Sequence, residues 1–201
     1  EGLLLRFFDR WLKGVPNGVE DEDPVAVFVM GEDRWHREQD WPLPQTRWTR
    51  LHLAGKGGAS ARDGGGTLAL APEAGSPPDT YAYDPARLPA TTYDYEDPSR
   101  SSATRDLSGL PDRDDVLDFT SPPLAEAVEI TGPLTAVLSV TTDAKDTDFV
   151  VALRRIEPGG RTTAIRSGVR RLRYRSGYDR EDWAKPGEVS RLEIDLWATG
   201  Q

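Results

Sequence analysis

Two histidines, no cysteine and a surplus of carboxylates bound the chemistry open to this chain. Acyl transfer by a serine needs a hydroxyl exposed at a strand-to-helix elbow, Gly-x-Ser-x-Gly, beside backbone donors for the oxyanion. The nearest approach is Gly58-Ala59-Ser60-Ala61-Arg62, which lacks the closing Gly and a following helix. A triad also requires a base oriented by an acid, and no acid is tied by sequence to either histidine. His52 sits in an alternating segment and reads as structural. His36, between Trp35 and Arg37 in a charged connection, reads as a solvated or interface residue. No catalytic residue is assigned.

Metal chemistry is no better supported. His36, Glu38 and Asp40 alternate and share a face if extended, a loose ligand set, but charged residues bounded by Trp35 and Trp41 are more simply a polar edge. Asp143, Asp146 and Asp148 suggest calcium, which takes several oxygen ligands, yet the spacing, Gly and terminal Glu of an EF-hand are missing. Gly64-Gly65-Gly66 lacks the Lys-Ser/Thr of a phosphate loop and reads as a turn. Neither a metal nor a cofactor is expected. Six tryptophans are many for 201 residues. Most belong to packing, although exposed aromatic rings on a β-sandwich also stack on sugars, so a carbohydrate-binding module is the alternative reading.

Leu3–Lys13 is the one convincing helix. Apolar residues at 4, 7, 8, 11 and 12 form an i, i+3, i+4 stripe, with Arg6, Asp9, Arg10 and Lys13 on the other side. Gly14 is a C-cap, with Pro16 beyond it. The rest reads as β. Val25–Met30 is a continuous apolar run suited to a strand buried on both faces. Trp48–Leu53, Thr80–Tyr83 and Val116–Phe119 are shorter strands, and Leu134–Thr142, Phe149–Ile156, Gly168–Arg175 and Val189–Trp197 longer ones. In the last, Ser190, Leu192, Ile194 and Leu196 alternate with Arg191, Glu193 and Asp195. Turn-rich tracts at 55–66, 72–79, 84–113 and 176–187 separate them. Strands without intervening helices make an antiparallel sandwich.

Length fits one domain with a flanking element. The net charge of −9 argues against nucleic acid and an anionic membrane surface, both of which need a basic field. No apolar run approaches the roughly 20 residues of a membrane span. A cysteine-free chain suits either redox environment, so the compartment is open, with a slight lean to the cytoplasm.

Five blocks carry a resemblance: Arg113-Asp114-Asp115-Val116-Leu117-Asp118-Phe119-Thr120-Ser121-Pro122-Pro123-Leu124, then Thr141-Thr142-Asp143-Ala144-Lys145-Asp146-Thr147-Asp148-Phe149, Pro158-Gly159-Gly160-Arg161, and upstream Arg6–Gly14 and Trp35–Pro42. In this order they resemble the C-terminal β-domain of the cocaine esterase-like hydrolases, relatives of Xaa-Pro dipeptidyl-peptidases and α-amino acid ester hydrolases. The resemblance covers essentially the whole chain.

It implies a mainly β fold, a jelly-roll (galactose-binding-like) β-sandwich over 15–201 preceded by one amphipathic helix, 1–14, that continues from an α/β-hydrolase domain. It also implies that the catalytic Ser, Asp and His lie in that domain. The β-domain would be non-catalytic, buttressing its partner and walling the acyl pocket, with a small acyl or aminoacyl substrate met through the parent enzyme. The implied pocket rim is the tract holding Thr92, Tyr93 and Tyr95; because Thr-Thr-Tyr-Asp-Tyr-Glu-Asp replaces the Gly-rich stretch of relatives there, a surface loop is the alternative reading. The interface candidates are Phe8, Trp11, Leu12, Trp35, Trp41, Arg113 and Asp114, although Arg113-Asp114-Asp115 also reads as a turn entering a strand. With seven large apolar groups in 3–12, the helix is expected to touch the sandwich and a partner surface at once. Relatives continue past 192–199 with a further strand, so the sheet is expected to be unfinished and the isolated chain prone to dimerise.

Overall fold

The computed structural model describes residues 2–61, 64–87, 106–108 and 113–201. The chain is mainly β, with one N-terminal α-helix and antiparallel pairs of a β-sandwich. It divides into two compact units. One comprises the residues up to Thr46 with Glu129–Pro133 and Ala198–Gln201, the other Arg47–Val128 and Leu134–Trp197.

In the first unit, α1 (Gly2–Lys13) runs without an internal Gly or Pro and stops at Gly14. Gly14 takes the left-handed conformation, φ 69°, and its N–H donates to the Arg10 carbonyl at 3.1 Å, the αL cap that glycine permits without a Cβ penalty. The helix has no buried residue. Its polar side is the half-covered one: Arg6, Asp9 and Arg10 are partly buried, whereas Leu3, Leu4, Leu5, Phe7, Phe8, Trp11 and Leu12 are exposed. None of these seven side chains is buried. A 3-10 turn at Val19–Asp21 leads into β1 (Val25–Val29), which pairs antiparallel with β2 (Arg34–Glu38). Of β1 only Val29 is fully buried and Ala26 is exposed. The reading of Val25–Met30 as covered on both faces is corrected, because a strand in a two-stranded pair lacks the layers that bury a central strand. His36 lies within β2, not in a connection.

In the second unit, β3 (His52–Ala54) pairs antiparallel with β4 (Gly66–Ala69), and β4 parallel with β5 (Phe119–Thr120). The glycine run is explained here. A Cβ on Gly66 would sit 2.7 Å from the Phe119 ring and 2.8 Å from the Ala54 carbonyl oxygen, so only glycine lets three strands close at this point. Residues 80–83 form no strand, and the strand expected over 116–119 is reduced to β5 and a bridge between Leu117 and Ser60.

The core of this unit lies between the longer strands β6 (Thr131–Val140), β7 (Asp148–Ile156), β8 (Thr162–Arg171) and β9 (Ser190–Gly200). β6 pairs with β9, and β7 antiparallel with β8. Leu192, Ile194 and Leu196 of β9 are buried with Leu172 and Ala184, and receive Leu134, Ala136, Leu138 and Val140 from β6 and Phe149, Val151 and Leu153 from β7. Period-two alternation supplies each inner face. Between β7 and β8 the register shifts after Leu153↔Arg166 to Arg154↔Ala164, leaving Ile165 as the extra residue, and Ile165 is buried. β8 ends at Arg171 and a 3-10 turn over Leu172–Tyr174 replaces the expected strand continuation to 175.

Candidate functional site

The clearest arrangement in the first unit is a charge clamp on α1. Arg6 Nη2 lies 2.5 Å from Glu22 Oε1, and Arg37 Nη1 of β2 lies 3.3 Å from Glu22 Oε2. Arg10 Nη2 meets Glu20 Oε1 at 2.7 Å. Asn17 Nδ2 donates to the Arg6 carbonyl at 2.8 Å. The hydrogen bond from Arg6, with the positive charges of Arg6 and Arg37, holds the Glu22 carboxyl below the usual range. The helix is thus oriented by its charges, and the turn that carries Glu20 and Glu22 turns the apolar face outward. Phe8, Trp11 and Leu12 are 46%, 59% and 76% exposed.

Trp35 is 64% exposed on β2, its ring tilted against Phe28 at 5.5 Å between centroids. Trp41 is half-buried, two residues before the buried Leu43. Glu32 Oε2 lies 2.6 Å from Arg34 Nε and 3.0 Å from His36 Nε2. His36 therefore spends a ring nitrogen on a local charge knot, which, through the His36 hydrogen bond first and Arg34 second, lowers the Glu32 pKa. His52 is half-buried in β3 opposite Ala69.

In the second unit Arg113 and Asp115 pair with side chains 17% and 6% exposed, and the Arg113 hydrogen bond is the main cause that lowers the Asp115 pKa. Asp114 lies at a turn, 3.2 Å from Arg87 Nη2. Arg113 also donates to the Arg87 carbonyl at 2.6 Å. Nearby Tyr81 has its phenol pKa raised by burial and by the Asp115 charge. The tract with Thr92, Tyr93 and Tyr95 lies outside the described residues.

The acidic block after β6 is used for bracing. Asp148 takes two hydrogen bonds from Arg171, at 2.8 Å from Nε and 2.5 Å from Nη2, and Asp146 faces Arg173 Nη1 at 3.4 Å while accepting the Arg173 backbone N–H at 3.0 Å. A bidentate guanidinium fits a carboxylate in this way. Of the three carboxylates read as a possible calcium set, Asp146 and Asp148 are thus engaged by arginines. Among the described residues no cluster of three or more His, Cys, Asp or Glu side chains is placed to hold a metal ion. Sequence reasoning missed this brace, although the signal was present: Asp146 and Asp148 are answered by Arg171 and Arg173, in the arginine-rich block 170–175.

The chain is 38% identical over 194 residues to the cocaine esterase of Rhodococcus sp. (strain MB1 Bresler), a match covering 96% of this chain and 34% of that protein. In solved structures it superposes on an α-amino acid ester hydrolase with a TM-score of 0.76, at 24% identity over 98% of this chain and 34% of the other. It also superposes on an aminopeptidase from a marine sediment archaeon, Thaumarchaeota archaeon, with a TM-score of 0.74, at 24% identity over 98% and 33%. At that identity the two structures speak for the fold alone. The chain spans about a third of the length of the relatives it matches. Residues 17–201 match the model of one family, and the chain belongs to it: the X-Pro dipeptidyl-peptidase C-terminal non-catalytic domains.

Proposed function

We propose that this chain is the non-catalytic β-domain of a longer serine hydrolase that cleaves esters or amides of acyl or aminoacyl groups, and that it buttresses the hydrolase domain and walls one side of its acyl pocket. The observation that carries this reading is the outward face of α1. Seven large apolar side chains, from Leu3 to Leu12, are between 46% and 76% exposed, while the helix's charged side is clamped to its own unit. Fully burying one Leu- or Phe-sized side chain is worth about 1.5–3 kcal/mol. A surface this apolar on one short helix marks a contact with another protein body.

In such an enzyme a serine of the hydrolase domain attacks the carbonyl, a histidine takes its proton and an aspartate orients the histidine. The present chain supplies shape and not reacting groups. Pockets for small molecules commonly form at domain interfaces, and the tract holding Thr92, Tyr93 and Tyr95 is the segment assigned to the rim.

The test is expression of the whole gene product and assay with p-nitrophenyl esters and aminoacyl anilides, with fluorophosphonate labelling mapped by peptide mass spectrometry. Turnover with a labelled serine outside these 201 residues is the expected result. No turnover and no labelled serine would remove the reading, as would stoichiometric labelling within this chain.

A further inference from the structure

We propose a second docking surface on this domain: the end of β8 at Arg170 and the excursion that follows it, through Tyr178 and Trp183, receive a carboxylate-bearing surface of the hydrolase domain. The inference rests on the proposed hydrolase reading and deepens it by naming a contact distinct from α1.

The excursion spans residues 172–189 with only one 3-10 turn. Connections longer than about 12–15 residues without secondary structure are uncommon and usually functional. This one is braced. The Leu172 N–H donates to the Thr147 carbonyl at 2.9 Å, the Asp182 N–H to the Arg173 carbonyl at 2.8 Å and the Ala184 N–H to the Lys145 carbonyl at 3.1 Å. Arg175 Nη2 lies 2.9 Å from Asp182 Oδ1. Leu172 and Ala184 anchor both ends in the core. A loop fixed in advance avoids most of the ordering cost of an interface.

What the brace presents is a ladder of planar groups. Arg173 lies 5.2 Å from the Trp183 ring and 5.0 Å from the Tyr174 ring. Tyr174 and Tyr178 follow at 6.1 Å, and the Arg170 guanidinium covers one face of Tyr178 at 4.4 Å. Tyr178 nonetheless remains 75% exposed and Trp183 46%. Trp, Tyr and Arg are the residue types enriched at interface centres.

Arg170 decides the chemistry of the occupant. Its neighbours Arg171, Arg173 and Arg175 each have a carboxylate. Among the described residues Arg170 has none, and its Nε is shielded without an acceptor. A partly buried cation stacked on an exposed ring, its outer nitrogens still unmet, calls for an acceptor from outside, and a carboxylate fits a guanidinium best. Most of the parent's length lies outside this chain if it follows the matched relatives, which makes the hydrolase domain the nearest body to supply it.

Hydroxyl-radical footprinting of the full-length protein tests this, with Tyr178 oxidation referred to its rate in the denatured chain. Protection of roughly fivefold or more is expected of a side chain at a water-excluded interface centre, with Trp183 protected alongside. Arg170→Glu should restore Tyr178 oxidation, and Arg170→Lys should leave it largely protected. Oxidation of Tyr178 at the denatured rate, or protection unchanged in Arg170→Glu, overturns the docking surface. Fluorophosphonate labelling of the same sample separates the two claims. A labelled serine with freely oxidised Tyr178 defeats this inference alone. Protection of Tyr178 in a protein with no reactive serine defeats the hydrolase reading, and with it the partner named here.

Discussion

Arg6 on the helix and Glu22 beyond its end meet at 2.5 Å, and the same carboxylate reaches Arg37 of β2. Glu22 therefore ties α1 to β2, and Glu20 holds Arg10 beside it. Partial exposure matters: at 30% for the Glu22 side chain, its pair with Arg6 supplies orientation more than stability, as surface ion pairs generally do.

Acid should release this clamp. The folded Glu22 carboxyl has a pKa below its ordinary value, as do those of Glu32, Asp115 and Asp148. The unfolded chain, with carboxyl pKa values of about 3.9–4.3, then binds more protons than the folded one in this range, so stability rises with pH there. The contribution is complete above the unfolded values and is lost as pH falls through the lowered folded ones. Hydrogen-exchange protection of α1 amides, referred to the intrinsic rate at each pH, should fall first as the pH drops below about 4, and Glu22→Gln should weaken this dependence. A helix whose protection is the same in Glu22→Gln as in the wild type would show that the clamp does not orient it.

Trp11 gives a direct reading of what covers the helix. In the intact parent protein, Trp11→Ala should cost on the order of 3–5 kcal/mol, the range for a buried aromatic deletion. An indole as open as it is here, 59% exposed, would shift stability by no more than roughly 0.5 kcal/mol. Chemical denaturation separates the outcomes, and the smaller one removes the argument for a covering domain.

These two residues also mark where sequence reading succeeds and where it stops. The 3.6 periodicity of 4, 7, 8, 11 and 12 places the helix, and the alternation of 190–196 places β9 and its buried face, because both patterns are local. Which way α1 faces depends on Glu20 and Glu22, which lie in a turn and follow no period. The apolar run Val25–Met30 carries no sign of how many neighbours its strand has. β4 was hidden because Gly66 is selected by the approach of Ala54 and Phe119, contacts far apart in sequence. Thr80–Tyr83 has strand-like residues but forms no pair. The brace of Asp146 and Asp148 by Arg171 and Arg173 joins two blocks that each look merely charged when read alone.

Gly168 tests the packing of β8 beside β9. A Cβ there would overlap the Asp195 carbonyl oxygen and sit 3.0 Å from Leu196 Cδ2. The nearest obstacle is backbone, which cannot rotate away. Gly168→Ala should therefore destabilise by about 1–3 kcal/mol, as overpacked cores do. Equal denaturation midpoints for variant and wild type would mean that the strands stand further apart than described.

Trp197 gives the opposite sign. It follows the buried Leu196 in β9, yet its backbone is left-handed, φ 65°, and its indole is 71% exposed. The turned backbone is secured by the Trp197 N–H donating to Asp195 Oδ1 at 2.7 Å. A side chain in this conformation costs roughly 1–2 kcal/mol, and little packing is present to offset it. Glycine removes the clash but loses about 0.5–1 kcal/mol through the greater freedom of the unfolded chain. Trp197→Gly should thus leave stability unchanged or raise it by up to about 1 kcal/mol, while Trp197→Ala keeps the clash and gains nothing. The measurement is chemical denaturation of both variants in the parent protein. A loss of several kcal/mol in Trp197→Gly would show that the indole is covered there, and that β9 carries a contact surface of its own.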